Sequence, residues 1–263
     1  MSNQPQETDL ANQLERFVKE QASRFGDVIS YVPARAATKI TKTENNIPSM
    51  PKTASVPSVA LDLIADKLKV HKSESWFKAK TLTELEAAIH DCQKCSLGAT
   101  RIKFVFGVGD PHAKVMVIGE APGADEDEQG EPFVGRAGQL LNKMLAAVEF
   151  KREEVFIANI LKSRPPNNRD PKPEEVAACE PYLWKQISII QPKLILCLGR
   201  IAGTNLLKLN ESLGKMRNQD YNFCGIPVIV TYHPAALLRN PDWKHGAWED
   251  LKKLRKMYEE LPA

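Results

Sequence analysis

The sequence predicts an α/β protein: a three-layer sandwich whose central, mainly parallel four-stranded sheet is flanked by helices, preceded by a partly disordered N-terminal extension. Three observations carry that prediction. Four short runs rich in β-branched or large apolar residues recur from residue 115 onward, each continuously apolar, as strands covered on both faces are. Helical patterns fill the intervals between them, and strand–helix alternation implies parallel pairing. The first 80 residues share neither habit.

Within that extension, Leu10, Leu14, Phe17, Val18 and Phe25 recur at helical spacing. They predict an amphipathic helix over about 10–25, whose stripe docks on the main domain or on a protein partner. From about 33 to 57 the chain turns to Ala, Thr, Lys, Ser, Asn and Pro. Such a segment buries too little surface to offset its ordering entropy and reads as a flexible linker. Val59–Leu68 reads as a further short helix. The catalytic domain is expected over 81–263. Leu82–Asp91 is helical in pattern and leads into Cys92-Gln93-Lys94-Cys95. The four strands are Val115–Ile118, Val155–Ala158, Leu194–Leu198 and Val228–Thr231. Helices are predicted over Ala137–Val148, Pro173–Ile190, with its proline at the favoured start position, Ile201–Leu209 and about Trp243–Leu261.

Composition narrows the classes. Of 263 residues 43% are hydrophobic and 26% charged, which is ordinary for a globular protein. The net charge is only +3, so no whole-molecule field draws in nucleic acid. Residues 1–80 hold 12 basic and 9 acidic side chains, leaving 24 of each for the rest. Any DNA binding there must come from a local patch. The opening residues Met1–Glu7 have neither a basic nor an apolar secretory region. The longest apolar stretch, near Ile187–Leu198, is broken by Gln191-Pro192-Lys193, well short of the ~18 residues of a membrane span. Five cysteines without a signal argue for reduced thiols or metal binding. A cytoplasmic protein without a membrane partner, monomeric by default, is expected.

Every strand run is followed by a polar cluster: Gly119-Glu120-Ala121-Pro122-Gly123, then Asn159, Lys162 and Arg164, then Gly199-Arg200, then His233-Pro234. Open parallel sheets place their ligand crevice at these carboxyl ends. The glycine- and acid-rich segment 119–138 is neither a Walker A loop nor a dinucleotide fingerprint, and its acidic run Asp125–Glu128 would repel phosphate. Phe133 is an aromatic at the crevice mouth that either stacks on a planar ligand or plugs the core. His233 is either structural or donates to an oxygen on which negative charge develops. Asn159 carries donor and acceptor together, which suits a base edge with adjacent N–H and C=O groups. The stiff, basic, proline-rich loop Lys162–Lys172, with Arg164 and Arg169, is the local phosphate patch. Leu237 and Leu238, backed by Arg239, either wedge into a base stack or pack a helix start. Cys92-x2-Cys95 has metal-like spacing with Cys179 as a third candidate, and the spacing leaves zinc and iron–sulfur both open. Cys197 and Cys224 read as inert buried thiols.

Three of these segments, GEAPGADEDEQGEPFVGRAG, NILKSRPPNNRDPKPEEVAAC and YHPAALLR, resemble the family 4 uracil-DNA glycosylases, the iron–sulfur branch of the uracil-DNA glycosylase superfamily. The resemblance spans about Cys92 to Leu254. It implies a DNA repair enzyme that flips uracil out of DNA, hydrolyses its N-glycosidic bond and leaves an abasic site. By motif, Glu120 and the backbone around Ala121 line the attacking water, with Glu120, Glu126 or backbone groups activating it. Phe133 stacks on uracil, Asn159 reads its pairing edge, His233 stabilises the departing anion, and Leu237–Arg239 fill the gap in the duplex. Asn167 is a further substrate contact. The resemblance also implies a 4Fe-4S cluster held from four cysteine slots, which fall on Cys92, Cys95, Ser163 and Cys179. A serine oxygen is a poor, hard ligand for soft iron–sulfur. Three outcomes stay open: a cluster with Ser163 or an exogenous fourth ligand, rescue by Cys197, or no cluster; three thiolates holding a cluster is the expectation. Two other readings stand beside this one. A glycosylase that bonds covalently to its product through a histidine-bearing insertion is opposed by the lack of histidine in Arg164–Lys172. A non-catalytic DNA-binding protein with a degenerate fold has Ser163 alone in its favour.

Overall fold

The structure is a computed structural model that describes residues 57–262. The helix expected over about 10–25 and nearly all of the linker expected over about 33–57 lie outside the described residues.

Six strands form one sheet: β1 (Val108–Gly109), β2 (Val115–Gly119), β3 (Phe156–Asn159), β4 (Leu194–Leu198), β5 (Tyr221–Phe223) and β6 (Ile226–Thr231), in the order β1-β3-β2-β4-β6-β5. The central four are mutually parallel and coincide with the four predicted strands. The sheet is wider than predicted by two short antiparallel edges, β1 on β3 and β5 on β6. A two-residue strand carries no readable period. β5 is joined to β6 by Cys224-Gly225, both at positive φ (52° and 86°), the geometry of a tight hairpin turn.

The helices are α1 (Pro57–Leu68), α2 (Leu82–Ile89), α3 (Ala124–Gln129), α4 (Arg136–Ala147), α5 (Pro173–Ile190), α6 (Arg200–Leu207), α7 (Leu213–Arg217), α8 (Pro234–Arg239) and α9 (Lys244–Glu259). Local chemistry sets their limits. The Thr81 hydroxyl accepts from the Glu84 backbone N–H at 3.1 Å while the Glu84 carboxylate accepts from the Thr81 N–H, a capping box that starts α2. α5 keeps its predicted limits, with Pro173 at its first turn and Gln191 turning left-handed at its end.

Alternation along the strands divides the interior into two cores. Met116, Ile118, Phe156, Ala158, Ile195, Cys197, Val228 and Val230 face one side, with buried residues of α1, α2, α5 and α6. Val115, Val117, Ile157, Leu194, Leu196, Leu198 and Ile229 face the other, under α4, α8 and α9. Helix, sheet and helix thus make the three layers. Ile64, Leu68, Trp76 and Ala79 belong to the first core. No helix among the described residues is long and apolar enough to cross a membrane.

Candidate active site

β2 and β3 end side by side, with Gly119 paired to Asn159. Gly119 has no room for a side chain: a Cβ there would meet Asn159 Oδ1 at 2.3 Å and Phe133 Cζ at 2.6 Å. The absent side chain lets the Asn159 carboxamide and the Phe133 ring close over the strand end. Phe133 is buried and holds a positive φ of 55°. Its loop is fastened by Glu126, whose carboxylate accepts from the backbone N–H groups of Gly123, Val134 and Gly135 at 3.0, 2.9 and 3.1 Å. The acidic run thus forms α3 and staples the loop; with three donors already on it, the Glu126 carboxylate is a fastening rather than an activator of water.

Asn159 is buried, and its Oδ1 has no hydrogen-bond partner. Such an atom costs about 1–3 kcal/mol unless a ligand satisfies it. His233 leaves β6 and caps α8, accepting the Ala235 N–H on Nδ1 at 3.2 Å. That bond assigns the lone pair to Nδ1 and the ring proton to Nε2. Its ring lies 5.6 Å from that of Phe133, with the planes 35° apart. Burial, helped by the nearby Arg239 cation, holds the imidazole down at about 4, so at neutral pH it is an uncharged N–H donor. Gly199, at φ 91°, lets β4 turn into α6 against His233, whose Cβ would stand 3.0 Å from a Cβ there. Phe133 and Asn159, distant in the chain, therefore meet at Gly119, and His233 borders the Phe133 ring. Glu120 follows at the rim, partly buried. Burial, then the like charge of Asp170, pushes its carboxyl up to about 7, against the opposing pull of Arg200. Ala121 beside it packs on the first core.

Two of the DNA-facing expectations, those on Lys162 and Leu237, need correction. Lys162 is fully buried: its ammonium donates to the Asn159 carbonyl at 3.0 Å and to Gln186 Oε1 at 2.7 Å, so it braces the site from behind instead of meeting phosphate. Arg169 is held in a two-pronged pair with buried Glu175 at 2.8 and 2.5 Å. Leu237 is 1% exposed and part of the second core, whereas Leu238 is 44% exposed; only the latter presents a wedge. Arg239 is exposed, Arg164 is partly exposed and bonds Asn168 Oδ1 at 2.8 Å, and Asn167 is exposed at a positive φ of 54°. Sequence reasoning set Arg200 among the strand-end clusters without giving it a role and gave none to Asp170; the two form an ion pair at 3.9 Å close enough to Glu120 to shift it. The signal for Arg200 was its place directly after a strand and Gly199.

Cys92, Cys95, Cys179 and Ser163 line one recess with Arg101, Phe104 and Tyr182. Among the described residues no three His, Cys, Asp or Glu side chains close on a point as a single-ion site. Three thiols in one recess are the donors that a sulfur-bound metal group takes. Cys179 Sγ accepts the Lys162 backbone N–H at 3.2 Å, and Cys92 Sγ lies 3.1 Å from the Tyr182 hydroxyl; such bonds tune and orient thiolate ligands. Burial pushes the Cys179 thiol up to about 12, so only a cation seated against it draws out the thiolate. Cys197 sits inside β4 and does not line the recess.

A parallel sheet with its polar residues gathered at the carboxyl ends defines a class that comparison with known proteins makes specific. The family model described as the uracil DNA glycosylase superfamily matches residues 106–252, and the chain belongs to that superfamily. Within it the similarity runs to the type-4 branch. The type-4 uracil-DNA glycosylase of Archaeoglobus fulgidus is 43% identical over 183 residues, covering 66% of this chain and 92% of the relative. That of Pyrobaculum aerophilum is 46% identical over 178 residues, covering 65% and 91%, and that of Thermotoga maritima 40% identical over 171 residues, covering 64% and 89%.

Proposed function

We propose that this chain is a uracil-DNA glycosylase that takes an everted uracil, hydrolyses its N-glycosidic bond and leaves an abasic site, the opening step of base excision repair. The observation that carries this reading is a buried aromatic ring that meets an unpartnered carboxamide at Gly119 and borders a neutral histidine. A flat pyrimidine fits the Phe133 face, and the Asn159 amide complements its adjacent N–H and C=O groups. As the C1′–N1 bond breaks, its electron pair leaves with uracil, and the His233 Nε2–H donates to the oxygen that gains charge. Positive charge grows on the sugar, where the Glu120 carboxylate opposes it and orients the water whose oxygen bonds to C1′. That water's proton passes to the carboxylate. Leu238 fills the space left by the base, with Arg239, Arg200 and Arg164 on the phosphates.

The test is excision from a uracil-bearing single-stranded oligonucleotide, read by strand scission in alkali. The wild-type chain cuts, and His233→Ala lowers kcat by about 10²–10³. A strand left whole by the wild-type chain sinks the reading.

We further propose that Cys92, Cys95 and Cys179 hold a 4Fe-4S cluster, with the Ser163 hydroxyl facing the fourth iron position. The shared recess and the backbone N–H on Cys179 support it. Bound there, the cluster supplies cross-linking between the segment after α2 and the start of α5, not a chemical step. Iron and acid-labile sulfide are expected in anaerobically purified protein, and Ser163→Cys retains iron longer in air. Neither element in such protein would overturn the assignment.

A further inference from the structure

The residue before His233 anchors a second aromatic feature. Tyr232 and Trp243 stack with centroids 5.2 Å apart and planes 24° apart. The Arg217 guanidinium lies 4.3 Å from the Tyr232 ring centroid and donates to its hydroxyl at 3.0 Å. Arg217 is itself held by Asp250 in a two-pronged pair at 2.6 and 3.1 Å. Asp250 also accepts from the buried Thr231 hydroxyl at 2.7 Å. Buried charge and hydrogen bonds thus fix Tyr232, and Tyr232 presents Trp243, whose surface is 42% exposed.

A large apolar ring left in water forgoes the free energy that burial would return, unless a ligand covers it. Trp243 is held as a rigid shelf, which is what a nucleobase stacks on. Of the five large exposed hydrophobics among the described residues, Leu238 and Trp243 both lie on the segment that follows His233. Arg239 and Lys244 accompany them against Asp242, a balance suited to a phosphate chain. Tyr232 adjoins His233 in the chain, so the ring it stacks on is tied to the neighbourhood of that histidine.

We infer that Trp243 is a stacking platform for the nucleobase adjoining the uracil on the same strand, and that the preferred substrate is DNA in which that neighbour is unpaired. In duplex DNA the neighbouring base is engaged with its partner and its stack; in a single strand its face is free. The inference rests on the reading of the site as one that takes uracil from DNA.

The experiment measures binding of the full chain, by fluorescence polarisation, to a labelled single strand whose uracil nucleotide carries a 2′-fluorine that blocks excision. Matched strands lack the base on the 5′ or the 3′ side of that uracil. Trp243→Leu keeps an apolar contact with Tyr232 but offers no ring, and Trp243→Phe keeps the ring. Trp243→Leu is expected to bind the complete strand roughly tenfold more weakly, and Trp243→Phe within about threefold of wild type. Removing one of the two neighbouring bases should weaken wild type by the same factor as Trp243→Leu, and cost that variant nothing further. Trp243→Leu binding within twofold of wild type, or losing the same factor on complete and gapped strands, overturns the inference. Excision is scored separately on the unblocked strand. A chain that binds through Trp243 yet cuts nothing sinks the glycosylase reading alone, and one that cuts with Trp243→Leu unaffected sinks the platform alone.

Discussion

Glu120 and His233 are displaced in opposite directions by one cause. Burial disfavours whichever form is charged, so it lifts the carboxyl to about 7 and lowers the imidazole to about 4. At neutral pH the histidine is therefore an uncharged donor, and the glutamate is poised between its two forms. Since the ionised carboxylate is the form that opposes positive charge on the sugar, excision should rise with pH through about 7. His233 should add no limb between pH 5.5 and 9. A single-turnover pH profile checks this, and Glu120→Gln should flatten it. Stability runs the other way. A carboxyl raised above its unfolded value near 4.5 favours the fold below that value, and the contribution is lost as pH climbs through 7.

At the scale of elements, the paired ends of β2 and β3 do the positioning. Gly119→Ala would drive a methyl into both Asn159 and Phe133. It should cut kcat/KM by at least about a hundredfold while costing about 1–3 kcal/mol in stability, as overpacking does, measured by excision kinetics beside chemical denaturation. A stability loss with activity intact would contradict the proposed pocket. The central strands were legible because each is a continuous apolar run, and the crevice was legible because polar residues follow each run. What was not legible depends on partners far along the chain. Lys162 reads as a surface cation until Gln186, on α5, supplies an oxygen for its ammonium. Arg169 gives no hint of its carboxylate partner until α5 brings Glu175 to it. Leu237 and Leu238 are equivalent letters, and only the pitch of α8 turns one inward. The Asp125–Glu128 run reads only as a charge that repels phosphate, because the stapling by Glu126 needs the N–H groups of Val134 and Gly135.

For the whole molecule, described residues ahead of the family match contribute to the interior. Trp76 is 2% exposed and meets Tyr182 edge-on at 5.2 Å and 84°, and Tyr182 in turn contacts Cys92. Trp76→Ala should cost about 3–5 kcal/mol, the usual toll of emptying a large aromatic site, read as a shift in the denaturation midpoint; a change below about 1 kcal/mol would show this segment to be an ornament. The sheet separates the molecule's two kinds of chemistry. Phe133 belongs to the core on one face, while Cys179, with Cys92 and Cys95 packed beside it, belongs to the other. Lys162 breaches that partition, its backbone on the Cys179 sulfur and its ammonium on the Asn159 carbonyl. One residue thus ties the recess of thiols to the strand end that carries the Asn159 carboxamide, so the two faces are fastened at a single rivet.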